Sequence, residues 1–346
     1  MNDPGQESRT DLRASSLAAW RSTGDVLGML VVLAALSAAF GFFSDHFWSP
    51  QTVKTIVNQS TDLTALAVGM TLVLVIGGID LSVGSVVAHC GAVLAIALVD
   101  WNAPFPVALI ACLGAGALIG LINGLITVHL TIPSFIVTLG MLESARGATY
   151  LLTNSETKYV GPRIEWLARP IPGLGASTSF LIALGLVVAG QILLTRTVFG
   201  RYAVAIGTNR EAVRLSGIDP RPTELLTFVL SGLCAAIASV FQVARVSSAD
   251  PNGGVGMELG AIAAVVIGGT SLMGGRGSVL RSFLGVLIIA VLQTGLDHVG
   301  ASEPAKRLIS GLVIVLAVVA DVHRRRWTAF VARSFGRLRR TPRPST

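Results

Sequence analysis

The chain has 346 residues, 52% of them hydrophobic and only 13% charged, against about a quarter charged in soluble domains. Its mean hydropathy of +0.71 and its 38 glycines exclude an ordinary water-soluble globule and point to a helical membrane bundle, where small residues let helices approach closely. The net charge of +7 is no sign of nucleic-acid binding: eight arginines lie in the last 23 residues, from Arg324 to Arg343, with no acidic residue among them, the pattern of a basic tail held at anionic headgroups.

The head, residues 1–24, is polar and carries Arg9, Arg13 and Arg21. It is too long and polar for a cleaved signal peptide, so it is expected as a cytosolic tail before a retained first span. A helix needs about 20 apolar residues to cross the hydrocarbon core. Ten segments meet or approach this: 25–44, 52–78, 83–99, 106–129, 131–152, 179–196, 222–243, 258–273, 279–296 and 305–321. The expected fold is an all-α polytopic membrane protein with about ten transmembrane helices. The short, Gly-rich 83–99 and 258–273 are expected as half-helices or re-entrant segments. With the N-terminus inside, 18 of the 26 basic residues fall on the inner side and six on the outer, which predicts both termini inside. A membrane domain over 25–321 and a basic cytosolic tail over 322–346 complete the organisation.

Taken along the chain, the first distinctive stretch is GMTLVLVIGGIDLSVGS at 69–85. An apolar span ends at Gly77 and Gly78, and Asp80 and Ser82 then precede a new apolar helix. Either side chain is suited to capping that helix start. A carboxylate near membrane depth also needs a partner or water, so a place along a solute path stays open. Val75-Ile76-Gly77-Gly78 recurs as Val266-Ile267-Gly268-Gly269, a weak internal echo of the kind repeated transporter halves show.

Gly116, Gly120 and Gly124 give a small-residue face for helix contact. Asn123, Gln242 and Gln293 are polar side chains inside apolar spans, placed for neighbouring helices or for a polar solute. Glu143 and Arg146, three apart on one helix, are expected to pair as a buried ion pair. Residues 153–178, with Pro162, Pro170 and Pro172, form an outer loop. Cys90, Cys112 and Cys234 lie in apolar stretches without zinc or redox spacing, and the histidines make no metal-ligand cluster.

The inner segment 200–220 contains a short helix, with Asn209 as its N-cap and Gly217 as its stop. No G-x-x-x-x-G-K-[ST] loop exists, because none of the three lysines, Lys54, Lys158 and Lys306, follows a glycine. The polypeptide therefore holds no phosphate-binding loop of its own.

Several runs together closely resemble the permeases of bacterial monosaccharide importers, the ribose permease kind. They are 69–85, NGLI at 123–126, IPSFIVTLG at 132–140, GRYAVAIGTN at 200–209 and GGTSLMGGRG at 268–277. The likeness runs from about residue 50 to 320, in the family's order. It implies a permease in the inner membrane that carries no cofactor. A separate ATP-binding-cassette ATPase, which binds the ATP, works it from the cytosol. A periplasmic sugar-binding protein delivers the solute, and a second permease copy or paralogue completes the pore. It also implies that 200–220 seats in the ATPase, with Asn209, Arg210, Glu211, Ala212 and Arg214 at the contact. No nucleic acid is implied. The weighed alternatives are a branched-chain amino-acid permease of similar plan and an ion-coupled secondary transporter, which would show several buried carboxylates. A channel or an intramembrane hydrolase lacks the filter or the nucleophile–base pair it would need.

Overall fold

The computed structural model describes residues 24–319, apart from 25, 45, 314, 317 and 318. Its described residues fall into two compact units, one ending at Ala301 and one beginning at Ser302. The expected tails, residues 1–23 and 322–346, lie outside the described residues, as does the end of the expected tenth span.

The main unit is built of helices: α1 (Val26–Phe43), then α2 (Pro50–Gln59), α3 (Thr61–Val75), α4 (Val83–Val99), α5 (Phe105–His129), α6 (Ser134–Thr153), α7 (Thr178–Arg196), α8 (Val198–Leu215), α9 (Arg221–Val246), α10 (Met257–Ile267) and α11 (Val279–His298). A two-residue antiparallel ladder joins β1 (Lys158–Tyr159) to β2 (Ser248–Ala249), and an isolated bridge pairs Pro170 with Ser177. In the second unit residues 303–313 are helical, with Lys306 paired to Glu303.

Among the described residues, five helices, α1, α5, α7, α9 and α11, are long and apolar enough to cross a membrane, and α3, α4 and α10 are shorter apolar helices. The expected single span 52–78 is corrected to two helices. Ser60 separates α2 from α3, and only α3 is buried on all sides, with every residue but Leu63 shielded. The amphipathic sequence of α2, with Lys54, Asn58 and Gln59, is the physical reason. Of the two short segments, 83–99 is one continuous 17-residue helix, α4, and the eighth segment is an 11-residue helix, α10, followed by a loop.

Helix α3 is the hub, packed against α7, α9, α10 and α11, while α5 lies along α9. The glycine face of α5 makes that second seam. A side chain at Gly116 would run into the carbonyl of Gly232, and one at Gly120 into that of Phe228. Backbones this close gain packing that larger residues would forbid. All three cysteines are buried, and Cys112 Sγ lies 3.4 Å from Ser239 Oγ.

Candidate functional site

The first half of the candidate site grows from the break after α3. The amide of Gly77 donates to Leu74 O (2.9 Å) and that of Gly78 to Val73 O (3.0 Å), the paired bonds of a Schellman stop. Gly77 supplies the φ of +82° that this stop needs. Helix α10 ends the same way: Gly269 N donates to Val266 O (2.8 Å) and Thr270 N to Val265 O (3.1 Å), with φ +77° at Gly269. The repeated VIGG is thus a repeated helix stop, shifted by one residue between its two copies. The two stops also meet, because Gly275 N donates to Val75 O (2.9 Å). Gly207 of α8 fits so closely between them that a side chain there would strike both atoms.

Beyond the first stop, Asp80 closes a buried polar knot. Its Oδ1 accepts from the amide (3.0 Å) and the hydroxyl (2.7 Å) of Ser82, and its Oδ2 accepts from Ser231 Oγ of α9 (2.8 Å). Asn123 Nδ2 of α5 donates to Ser82 Oγ (3.0 Å), and Asn123 Oδ1 is buried without a partner. The loop itself is held from α6: Ser134 Oγ accepts from Ile79 N (2.9 Å) and Thr138 Oγ1 from Leu81 N (3.0 Å). Ser82 therefore turns back to Asp80 and does not cap α4 with its side chain. Asp80, Ser82 and Asn123 are only 2%, 0% and 1% exposed, so the subunit keeps these bonds for itself.

The second half lies at the end of the bundle where α8 meets α9. At Asn209 the backbone leaves the helix (φ −161°, ψ 96°), and its Oδ1 accepts from Ala212 N (3.0 Å). A separate short helix therefore begins there, and it ends at Gly217 (φ +82°) with Gly217 N bonded to Arg214 O and Ile218 N to Val213 O. Both expected ends of this helix are present. Its side chains divide. Glu211 and Arg214 are exposed and pair with each other, at 2.6 Å. That pairing holds the Glu211 carboxyl below the usual carboxylate range and raises the Arg214 guanidinium. Arg210 turns inward and grips Glu224 of α9 with two bonds, 2.6 and 3.1 Å. This fork raises the Arg210 guanidinium above its ordinary value.

Arg210 and Glu224 line a cleft of about 330 Å³ whose other wall is Gly77, Gly78, Pro133 and Ser134. The structure thus brings together the glycine stop and the 209–217 helix, which are 131 residues apart in sequence, Gly78 to Asn209.

The remaining expected residues fall elsewhere. The ion pair of Glu143 with Arg146 is not formed. Arg146 Nη1 donates to the carbonyls of Pro251 (2.6 Å) and Gly253 (2.8 Å), while Glu143 is exposed. Spacing along one helix permits the pair, but two unpaired loop carbonyls compete for the guanidinium. Gln242 is half-buried, with Nε2 3.8 Å from Met257 Sδ, and Gln293 is exposed. Sequence reasoning missed Glu224, which reads as an ordinary acidic residue in a helix first turn, and Ser231, hidden among small residues of α9. It also missed the ion pair of Asp62 with Arg245, which joins the far ends of α3 and α9.

Comparison with known proteins adds to this geometry. The family model described as branched-chain amino acid transport system / permease component matches residues 52–318. The ribose import permease protein RbsC of Escherichia coli (strain K12) is 39% identical over 297 residues, covering 84% of this chain and 92% of its own. The galactofuranose transporter permease protein YtfT of the same strain is 35% identical over 311 residues, covering 85% and 89%. Its D-allose transport system permease protein AlsC is 32% identical over 300 residues, covering 86% and 91%. No solved structure matches. On the extent of that family match, and with relatives this similar along nearly their whole length, the chain belongs to the family of transport-system permease components.

Proposed function

We propose that this chain is the membrane-spanning subunit of an ATP-binding-cassette importer in the bacterial inner membrane, and that its cargo is a monosaccharide. The observation that carries the reading is the capped 209–217 helix, tied by Arg210 and Glu224 to α9 and facing the glycine stop. Ribose, galactofuranose and allose in the relatives' names favour sugars over amino acids as cargo.

In this reading both termini are cytosolic, about ten helices cross the bilayer, and the basic tail rests on anionic lipid. A separate ATPase binds the ATP and grips the 200–220 segment, a periplasmic binding protein brings the sugar, and a second permease copy or paralogue closes the pore. Asn209 and Ala212 keep the coupling helix capped, while Glu211 and Arg214 face the motor. Arg210 acts inward: through Glu224 it makes α9 move with the coupling helix. Helix α9 holds Asp80 by Ser231 at its middle and Asp62 by Arg245 at its far end, so one displacement reaches the whole bundle. Gly77 and Gly78 beside the cleft are the natural hinge.

The test is uptake in inverted and right-side-out vesicles carrying the full transporter. Uptake that survives collapse of the ion gradients and stops on ATP depletion is the expected result. The reverse pattern makes the chain a secondary carrier and ends this reading.

A further inference from the structure

Helix α6 is 20 residues long, enough to cross the hydrocarbon core, yet it is not among the helices apolar enough to do so. Arg146 and Glu143 lower its apolarity most, and of the two only Glu143 sits on an outward face, among exposed leucines. Leu139, Gly140, Glu143, Ser144, Gly147 and Leu151 recur at helical spacing and are all exposed. The opposite face is fixed against α4 and the loop before it. Thr138 Oγ1 bonds Leu81 N and Ile79 O, Ala145 is buried, and Thr149 Oγ1 meets His89 Nδ1 at 3.3 Å. The Glu143 face therefore looks away from its own subunit and cannot rotate inward.

Glu143 is the tenth of the 20 residues, about 15 Å from either helix end at the usual rise. Among the described residues it makes no ion pair, and the nearby Arg146 is spent on loop carbonyls. A carboxylate at that depth is expensive against hydrocarbon and is normally found facing a polar interior or water.

A second polar element lies beside it. After β2 the chain returns as the non-helical segment 250–256, and Gly254 reaches the first turn of α4, where a side chain on it would strike Gly84. The 11 residues of α10 that follow account for only about 16 Å, half the thickness of the core. Irregular backbone flanks α10 at both ends, 250–256 and 268–278, and at membrane depth such backbone is tolerated only inside protein or along a water-filled cavity. Asn252 of this segment is exposed, and its Oδ1 accepts from Tyr150 Oη of α6 at 2.6 Å.

Resting on the permease reading above, we propose that the α6 face at Glu143 and Ser144, with Tyr150 and Asn252 beside it, is a wall of the water-filled conduit that hydrogen-bonds the hydroxyls of the passing solute. Glu143 offers four acceptor sites, and Asn252 and Tyr150 add donors and acceptors. The wall holds the Glu143 carboxylate, with exposed Asp250 bonded to Asn252 beside it, while Arg146 is spent on loop carbonyls, so it suits a neutral polyol and repels a phosphorylated or acidic sugar. The polar residues singled out by sequence around Asp80 are closed within the subunit. This wall is formed by residues that face out of it.

The experiment labels single cysteines in the complete transporter in native membranes, with a hydrophilic methanethiosulfonate reagent. The native cysteines are all buried and set the background. Ser144→Cys is nearly isosteric and Asn252→Cys lies outside the helices, so both keep the fold if Glu143→Cys does not. Val188→Cys and Ile192→Cys, on the exposed apolar face of α7, are the controls. Labelling of Ser144→Cys, Asn252→Cys and Glu143→Cys at least tenfold faster than the controls is expected. So is a fall in ATP-driven D-ribose or D-allose uptake once the label is attached. Labelling at the control rate places the face in lipid and overturns the proposal. Slow labelling with ready oxidative cross-linking of Ser144→Cys between two copies makes it a dry subunit contact and also overturns it. Failure of the permease reading looks different: the unsubstituted transporter then shows no ATP-driven uptake of any sugar.

Discussion

Asp80 and Glu143 are both carboxylic side chains set among apolar segments, and the fold treats them in opposite ways. Asp80 is 2% exposed and accepts three bonds from Ser82 and Ser231. Glu143 is exposed in mid-helix, and among the described residues no ion pair holds it. A buried polar group costs free energy unless its bonds are made inside the protein, so Asp80 belongs to the architecture and ties the first glycine stop to α9. A polar group left outward at membrane depth must find its partners beyond the subunit. Burial, more than chemical type, separates the two carboxylates.

The largest effect is expected at the knot. Asp80→Ala leaves the Ser82 amide, the Ser82 hydroxyl and the Ser231 hydroxyl without their acceptor, and hydrogen bonds to charged groups contribute about 1.5–3 kcal/mol each. Thermal unfolding in detergent should show a loss of about 3 kcal/mol or more, whereas Glu143→Ala should stay within about 0.5 kcal/mol, as surface changes do. Equal losses at the two positions would erase the contrast.

Next comes the clasp. Glu224→Gln breaks the bidentate grip on Arg210, and ATP-driven uptake should fall about tenfold, the factor that about 1.4 kcal/mol of lost coupling gives. The exchange Arg210→Glu with Glu224→Arg should recover most of it. A swap as inactive as the single variant would show that Arg210 serves the motor directly and not α9.

A smaller loss is expected from Ser231→Ala, which removes one of the three bonds to Asp80. A decrease of about 1.5 kcal/mol in unfolding free energy, with uptake retained, would mark Ser231 as a tie within the knot.

The smallest effect belongs to the exposed pair of Glu211 and Arg214. Glu211→Gln should leave thermal stability unchanged, since exposed ion pairs contribute little, and should lower uptake less than Glu224→Gln. Because Arg214 depresses the Glu211 carboxyl, the pair's contribution is fully present above the ordinary carboxylate range and is lost only as pH falls through the lowered value. Uptake between pH 6 and 8 should therefore owe no pH dependence to this pair. Any such dependence should be the same in Glu211→Gln.

Much of this was legible in the order of residues. Runs of apolar side chains are a one-dimensional record of membrane crossing, so α4, α5, α7 and α11 lie close to where the sequence places them. Helix ends are local as well. Asn209 and Gly217 act within a few residues of themselves, and a cap or a positive φ needs no distant partner. The split at Ser60 was harder to read, because α2 and α3 form one nearly continuous run whose change from amphipathic to fully buried is a property of neighbours.

What only the tertiary structure decided is the choice among competing polar partners. Glu143 and Arg146 are well spaced to pair, but the carbonyls of Pro251 and Gly253, more than a hundred residues away, took the guanidinium. Arg210 has an acidic neighbour in Glu211 and yet bonds Glu224. The meeting of the two glycine stops at Gly207 likewise depends on backbones separated by almost 200 residues. A sequence carries its own periods and caps because those interactions close within a turn or two. It does not carry which donor reaches which acceptor, because that is settled by packing that brings remote segments within 3 Å of one another.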